Sequence, residues 1–292
     1  MKRLVEFLLG PGRPLTVVAA VAAGLCLVFL GVWYWPLNVG ALVKAGPAYT
    51  LQVENLEITP LPTWIHTDIR SDAYRMLSME GRPSILDERL VGRVHDVLAL
   101  QPWVAKVGNV RKFPGARVVV ELDYRRPVCM VEVRGGLYPV DLQGVWLPVG
   151  DFTAIEASRY PRLAGIDSVP VGAVGTAWGD DRVVGGAEVA AAVEPLWTTL
   201  QLQRIISLPT ADLPGAPPGY EIFARCGTRI HWGHAPGASR EGELPWAEKV
   251  ARLKAYAAEN GPPDGSGGAV DIDLRGPAMT VSPRAAQPPQ AR

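Results

Sequence analysis

The segment 117–124 reads RVVVELDY, and its run of β-branched residues is typical of a β-strand. A Phe113-Pro114-Gly115 turn precedes it, and a weakly alternating stretch at 104–111 comes before that turn. Turn residues between two strand-like stretches predict a β-hairpin. The hairpin is the reference point from which the other elements of the first domain can be placed.

The sequence before the hairpin predicts one strand and two helices. Rough alternation at 51–58 indicates the strand, and a helix begins at Thr67 and ends near Leu77. A second helix begins near Ser84 and ends before Pro102, with apolar residues at helical spacing: Leu86, Leu90, Val94, Val97 and Leu98. The predicted order of this domain is therefore β-α-α-β-β.

The C-terminal sequence predicts a sheet with packed helices. A glycine-rich loop at 172–186 precedes a helix at 187–200, and a second helix at 244–259 carries an apolar stripe. The segment 270–275, VDIDLR, alternates as a half-buried strand does. A last strand at 278–281 lies beside a polar tail, which is typical of a sheet edge with unpaired backbone groups.

The N-terminal stretch 15–35, LTVVAAVAAGLCLVFLGVWYW, contains 21 residues without a charge. That length in a helix covers the roughly 30 Å hydrocarbon core of a bilayer. We therefore expect a single transmembrane helix, and the excess of Lys2, Arg3 and Arg13 over Glu6 predicts a cytoplasmic N-terminus. A cleaved signal peptide is the alternative, although no small-residue cleavage site follows the stretch.

The composition excludes several classes of protein. The 292 residues are 48% hydrophobic and 20% charged, with 29 basic and 29 acidic side chains. A highly charged disordered chain and a basic nucleic-acid binder are therefore excluded, and three cysteines exclude a disulfide-dense scaffold. The predicted organisation is a stub at 1–14, the span at 15–35, a linker at 36–48, domains at 49–126 and 127–281, and a disordered tail at 282–292.

Several short motifs follow one another along the chain: Pro102-Trp103-Val104, Val107, Val110, Arg111, Pro114, Val118, Val120, Glu121, Arg125-Arg126-Pro127, Tyr138, Val140, Asp141, Gly144, Val145, Leu147, Pro161-Arg162-Leu163-Ala164-Gly165, Arg229-Ile230-His231-Trp232-Gly233, Lys249, Leu253 and Val270-Asp271-Ile272-Asp273-Leu274-Arg275. Their order resembles the FtsQ (DivIB) family of bacterial division proteins, including the POTRA domain of that family. Each motif alone is weak evidence for the family, but the motifs occur in the family's order and extend over most of the chain.

This resemblance implies an α+β fold: one N-terminal transmembrane helix, a POTRA-like domain, and a C-terminal β-rich domain with an antiparallel sheet and flanking helices. It implies a divisome scaffold at the inner membrane, with the C-terminus in the periplasm. The implied partners are FtsB-like and FtsL-like single-span proteins, together with FtsK and a septal peptidoglycan synthase. An FtsB-like strand would add to the last edge strand. The implied contact residues are Trp246, Tyr256, Ile272, Asp273, Leu274, Arg275, Ala278, Met279, Thr280 and Val281.

The residues indicate neither an enzyme nor a cofactor. Nucleophile and phosphate-loop motifs are missing from the sequence, and the nearest approach to a metal motif is Cys226 with His231 and His234, where two ligands on one glycine-containing stretch do not make a site because catalytic zinc usually takes three protein ligands. Cys129 and Cys226 could pair or remain free thiols. Gly276-Pro277 departs from the family pattern by shortening the last hairpin.

Two other classes of protein stay open. One is a POTRA-type chaperone-like binder of unfolded envelope proteins, and the other is a membrane-anchored hydrolase with a deep polar pocket.

Overall fold

The computed structural model describes residues 19–30, 32, 46–209, 217–238, 242–261 and 268–284. The fold is α+β, with two sheets. The chain divides into two compact units, and the second unit contains Pro60–Asp68 and Ala99–Val107 as well as everything from Leu122 onward. The first unit contains Met1–Thr59, Ile69–Leu98 and Gly108–Glu121.

The first sheet has three strands. In chain order the elements are β1 (Leu56–Ile58), α1 (Ile69–Ser78), α2 (Leu90–Ala99), β2 (Val104–Phe113) and β3 (Arg117–Tyr124). The strand order is β1-β3-β2, and β1 runs parallel to β3 with Leu56 opposite Val118. Leu90, Val94 and Leu98 of α2 are fully buried, as helical spacing places them on one face.

The predicted transmembrane helix at 15–35 is wrong for the residues that the structure describes. None of the described helices is both long and apolar enough to cross a membrane. Residues 19–30 and residue 32 are helical, while 15–18, 31 and 33–35 lie outside the described residues. The predicted stub at 1–14 also lies outside the described residues, as does most of the predicted linker.

The second sheet has eight strands in the order β11-β10-β9-β8-β7-β6-β4-β5. In chain order its unit contains β4 (Pro127–Val133), β5 (Gly136–Asp141), α3 (Ala154–Ala157), β6 (Arg162–Ala164), α4 (Asp181–Val193), β7 (Leu202–Ser207), β8 (Gly219–Ala224), β9 (Arg229–His234), α5 (Trp246–Asn260), β10 (Val270–Asp273) and β11 (Thr280–Pro283). Short 3₁₀ helices in the chain are Pro47–Tyr49, Val53–Asn55, Val149–Asp151, Glu194–Leu196 and Pro236–Ala238.

This sheet is mixed, so the predicted antiparallel sheet is wrong. The pairs β4–β6, β6–β7 and β9–β10 are parallel. Parallel neighbours need a crossover connection, which α4 supplies between β6 and β7 and α5 supplies between β9 and β10. Alternation along one strand shows which face is buried, but it carries no information about the direction of the neighbouring strand.

One aliphatic row crosses the inner face of this sheet and forms the centre of its core. The row takes one residue from each of six neighbouring strands, all of them buried: Val131, Leu163, Ile205, Ile222, Ile230 and Ile272. Apolar residues of α4 and α5, including Val183 and Leu253, pack in the same cluster. The register continues to Val281 of β11, which is 43% exposed. The row therefore ends at an incompletely covered residue on the last strand.

Helix α4 begins six residues earlier than the sequence predicted. Asp180 caps it by accepting a hydrogen bond from the Arg182 backbone N–H at 2.9 Å, and Gly185 and Gly186 lie inside the helix. A Cβ at Gly186 would lie 2.4 Å from Leu163 Cδ2. Gly185 and Gly186 allow the helix to approach the sheet closely, whereas residues 172–179 of the predicted glycine-rich loop precede the helix without helical structure.

We expect Gly186→Ala to lower the free energy of unfolding by about 1–3 kcal/mol, because the added methyl group overpacks a buried contact. The matched control is Gly92→Ala in α2, where a Cβ would meet nothing within 4 Å. That control should raise the free energy of unfolding by about 0.5–1 kcal/mol. Urea unfolding followed by circular dichroism measures both changes, and a shift of the same sign in both variants would contradict the packing argument.

Candidate partner-binding edge

Among the described strands, β11 is the last of the eight-stranded sheet, and no described strand pairs with its outer side. Its four residues pair with β10 in antiparallel register, with Asp273 opposite Thr280 and Ile272 opposite Val281. All four β11 residues are exposed. The strand runs from Thr280 to Pro283, two residues later than predicted, so it extends into the segment expected to be a disordered tail. Residues 285–292 of that predicted tail lie outside the described residues.

The ladder shows which backbone groups of β11 face outward. The Arg284 N–H donates to the Ala269 carbonyl at 2.9 Å. In an antiparallel ladder the bonded pairs alternate, so Ser282 and Thr280 also bond toward β10. Val281 and Pro283 then direct their backbone groups away from the sheet, and proline has no N–H. The Val281 N–H is therefore the donor that the middle of this short edge offers to another strand.

The structure separates the predicted contact residues into accessible and buried groups. Trp246 is 45% exposed, and Arg275, Ala278, Thr280 and Val281 are exposed as well. Ile272 and Leu274 are buried in the core, and Tyr256 and Met279 are half-buried against it. Asp273 is half-buried and faces Arg275. The accessible set lies on β11, on the turn before it and at the start of α5.

An ion pair holds the turn between β10 and β11. The Arg275 guanidinium donates through Nη2 to Asp273 Oδ2 at 2.6 Å and through Nε to Oδ1 at 3.0 Å, and the Arg275 N–H donates to Oδ1 at 2.9 Å. These hydrogen bonds stabilise the carboxylate and lower the pKa of Asp273 to about 2. The Asp-Leu-Arg motif therefore closes a tight local turn, and the Arg275 side chain is engaged with its own chain.

A β-bulge in β9 lies under the start of α5. The β8–β9 register shifts so that Trp232 has no partner residue on β8, and Gly233 has φ +89°, a conformation that favours glycine. The bulge frees the Trp232 carbonyl, which accepts a hydrogen bond from Lys249 Nζ at 2.6 Å. Lys249 is fully buried, so one lysine of α5 ties the helix to the strand next to β10.

Glu243 completes this buried network. Its Oε1 accepts from Lys249 Nζ at 2.5 Å and from the His234 N–H at 2.9 Å, and its Oε2 lies 2.7 Å from His234 Nδ1. Burial opposes ionisation of Glu243, but the hydrogen bonds from Lys249 and His234 outweigh it and lower its pKa. Sequence reasoning missed Glu243, and the available signal was a lysine on the apolar stripe of the predicted helix.

The side chains considered for a metal lie in separate structural contacts. His231 Nδ1 is 3.0 Å from Glu221 Oε1, His234 contacts Glu243, and Cys226 Sγ lies 3.3 Å from Thr228 Oγ1. In the described part of the chain, three or more metal-ligating side chains do not come together. Cys129 and Cys226 are free thiols, and burial strongly raises the pKa of Cys129.

A cavity of about 350 Å³ in the second unit bears on the hydrolase alternative. It is lined by Thr63, Trp64, His66, Asp151, Phe152, Glu156, Arg159 and Tyr160. Buried Asp151 accepts hydrogen bonds from Trp103 Nε1 at 2.5 Å and from Thr67 Oγ1 at 2.7 Å. These donors engage both carboxylate oxygens, since Thr67 Oγ1 also lies 3.0 Å from Oδ2. The Asp151 carboxylate at this cavity therefore links the segments that carry Trp103 and Thr67, which belong to the same unit.

Comparison with known families finds no family model that matches this chain, and a search of curated proteins finds no matching relative. The resemblance to FtsQ thus rests on the order of the motifs named above. The site geometry is independent of that resemblance, because it follows from the strand register and the contacts at the sheet edge.

We expect Lys249→Met to lower the free energy of unfolding by about 3–5 kcal/mol, because it removes the buried ammonium that pairs with Glu243 and donates to the Trp232 carbonyl. Lys254→Met on the exposed side of α5 is the matched control and should change it by less than about 0.5 kcal/mol. Urea unfolding measures both variants. Equal effects would show that the buried network does not hold the helix.

The Asp273 carboxylate should titrate near pH 2 in the folded protein, whereas an unpaired aspartate titrates near about 3.9. Because its folded pKa is depressed, the stabilisation by this pair is present above about pH 4 and is lost as the pH falls toward 2. Arg275→Gln should move the titration midpoint upward. Carboxyl NMR of the Asp273 side chain measures the midpoint, and an unchanged value in the variant would exclude Arg275 as the cause.

Proposed function

We propose that the chain is a noncatalytic scaffold of the bacterial division machinery, of the FtsQ type, which binds an FtsB-like partner by β-augmentation at β11. The observation that carries the proposal is the incomplete edge: the aliphatic row of the sheet ends at half-exposed Val281, whose backbone N–H faces outward. An added strand would satisfy that N–H and bury the Val281 side chain. Such a surface binds protein and needs no cofactor.

The physical chemistry of the edge favours a strand as the occupant. Main-chain hydrogen bonds supply affinity in β-augmentation, and alternate side chains supply selectivity. A partner residue opposite Val281 would extend the row formed by Ile230 and Ile272, with each favourable cross-strand pair contributing about 0.2–1 kcal/mol. Four residues with a terminal Pro283 make a short edge, so side-chain contacts must supplement the backbone bonds.

The accessible residues define a narrower contact surface than the sequence predicted. We assign direct contact to Val281, Thr280, Ala278 and Trp246, which are exposed. Ile272 and Leu274 support the surface from the core, and the Asp273–Arg275 pair fixes the turn that precedes β11. Gly276-Pro277 keeps that turn short, so contacts beyond β11 differ from those of a family member with a longer hairpin.

The same proposal places the chain on the extracytoplasmic side of the inner membrane at the division septum. FtsL-like proteins, FtsK and a septal peptidoglycan synthase are the further proposed members of the assembly. Support for these partners comes from the motif order in the sequence, and the sheet edge supports only the strand-binding step.

A second candidate is a POTRA-type binder of unfolded envelope proteins. The observation that favours it is β2, a ten-residue strand at the edge of the three-stranded sheet. A longer edge can pair with extended segments of many sequences. The two candidates differ in which edge binds and in how selective the binding is.

We expect Val281→Pro to abolish capture of a small FtsB-like coiled-coil protein, because it removes the outward N–H of β11. Val281→Thr is the matched control, since it keeps the N–H and a β-branched side chain. Affinity purification of the tagged full-length chain from its host cells, followed by mass spectrometry, measures capture. Loss with proline and retention with threonine support the proposal. Equal capture by both variants, or recovery of unfolded envelope proteins instead, would contradict it.

A further inference from the structure

The cavity of about 350 Å³ is lined by two segments of the second unit. One segment contributes Trp64 and His66, and the other contributes Phe152, Glu156 and Tyr160. Neither β10 nor β11 contributes a residue to the lining. The cavity is therefore separate from the edge that we propose for strand binding.

Three aromatic side chains form the apolar part of this cavity. The Phe152 and Tyr160 rings meet edge to face, with 5.7 Å between their centroids and an angle of 87°. The Trp64 indole N–H donates to the Arg125 carbonyl at 3.1 Å, which fixes the third ring. Burial raises the pKa of the Tyr160 phenol, so this ring stays neutral. The cavity thus offers fixed aromatic surface, and the face of an aromatic ring attracts cations.

Two hydrogen-bond acceptors lie beside these rings. Glu156 Oε2 accepts from the Thr153 N–H at 2.9 Å and from Thr153 Oγ1 at 2.8 Å, whereas Oε1 has no hydrogen-bond partner among the described residues. The hydrogen bonds from Thr153 lower the pKa of Glu156, so its carboxylate is ionised at neutral pH. His66 Nδ1 donates to the Asp151 carbonyl at 2.8 Å, which leaves Nε2 of the neutral ring as an acceptor. These acceptors suit a group with several N–H donors.

One cation, Arg159, also lines the cavity. It is exposed, and within the described part of the chain no ion pair or hydrogen bond engages its guanidinium. A long exposed arginine can turn its charge into water while its stem stays on the surface. Glu156, in contrast, is held by the capping box of α3. The fixed charge at the cavity is therefore negative, and the positive charge is movable.

Exposed aliphatic side chains flank the lining residues in the sequence. Leu61, Val149 and Ile155 are exposed, and Ile155 is 70% exposed. Each of them lies within two residues of a residue that lines the cavity. Exposed apolar side chains around a pocket are typical of surfaces that contact proteins. An occupant that also covers these side chains is a protein segment rather than a small polar molecule.

We propose that this cavity binds an arginine side chain presented by a partner protein. A guanidinium is planar, stacks on aromatic rings and carries five N–H donors, so it matches the aromatic walls and the free acceptors together. A lysine ammonium is compact and strongly hydrated, so it covers less aromatic surface. A carboxylate ligand would face Glu156 and the aromatic ring faces, which disfavour anions. The site goes beyond the proposed strand-binding step and does not depend on it.

The test uses two neutralising variants of opposite sign at the same cavity, Glu156→Gln and Arg159→Gln. The probe is a short glycine-serine peptide with one central arginine, and saturation-transfer NMR with the full chain measures its Kd. We expect Glu156→Gln to weaken binding about two- to fivefold, as for an exposed ion pair, whereas Arg159→Gln should strengthen binding or change it by less than about twofold. Glutamine can keep the capping box of α3, so the Glu156→Gln variant retains its fold. The reverse pattern would overturn the proposal, because it would show that the cavity binds an anion.

A second peptide, with citrulline in place of arginine, keeps the shape of the side chain and removes its charge. We expect this peptide to bind the parent chain at least about fivefold more weakly, and to bind the parent and the Glu156→Gln variant equally. Equal binding of both peptides to the parent, or no detectable binding of the arginine peptide, would contradict the proposal. Glu259→Gln, which neutralises an exposed acid near the end of α5, is the control for net charge. Weakening by Glu259→Gln as large as that by Glu156→Gln would rule out a specific site.

Discussion

The register of one aliphatic row holds the larger unit together. Six strands each place one branched residue in line, from Val131 at one side to Ile272 at the other, and helices α4 and α5 cover that line. A shift of one residue in any strand would turn its apolar side chain to the outer face. The row therefore determines at once which residues form the core, which remain on the outer face and where the sheet stops.

Helix packing on this row needs two departures from regular structure. Gly185 and Gly186 allow α4 to lie close to the sheet, since larger residues would meet Tyr220 and Leu163. The bulge at Gly233 frees a carbonyl that Lys249 of α5 satisfies, and Glu243 balances the buried charge. A buried lysine is costly unless it is paired and hydrogen-bonded, so the bulge, the lysine and the glutamate depend on one another.

The two faces of the sheet carry different chemistry because side chains alternate along each strand. The inner row ends at Val281 with apolar surface still exposed, which suits an added strand. The outer row carries Arg162 and Arg204 between Met130 and Phe223, and is therefore partly charged. One register thus creates an apolar inner face and a partly charged outer face.

The sequence by itself determined the local elements. The β-branched run RVVVELDY forms β3, the alternation in VDIDLR forms β10 and its turn, and the apolar spacing around Leu253 forms α5. These signals are local, because side-chain periodicity follows directly from strand and helix geometry. Tertiary structure alone decided that β9 and β10 are parallel, that Glu243 meets Lys249 and that Arg162 stands beside Arg204. Each of these depends on how crossover helices bring distant segments together, and strand periodicity contains no information about which strand becomes the neighbour.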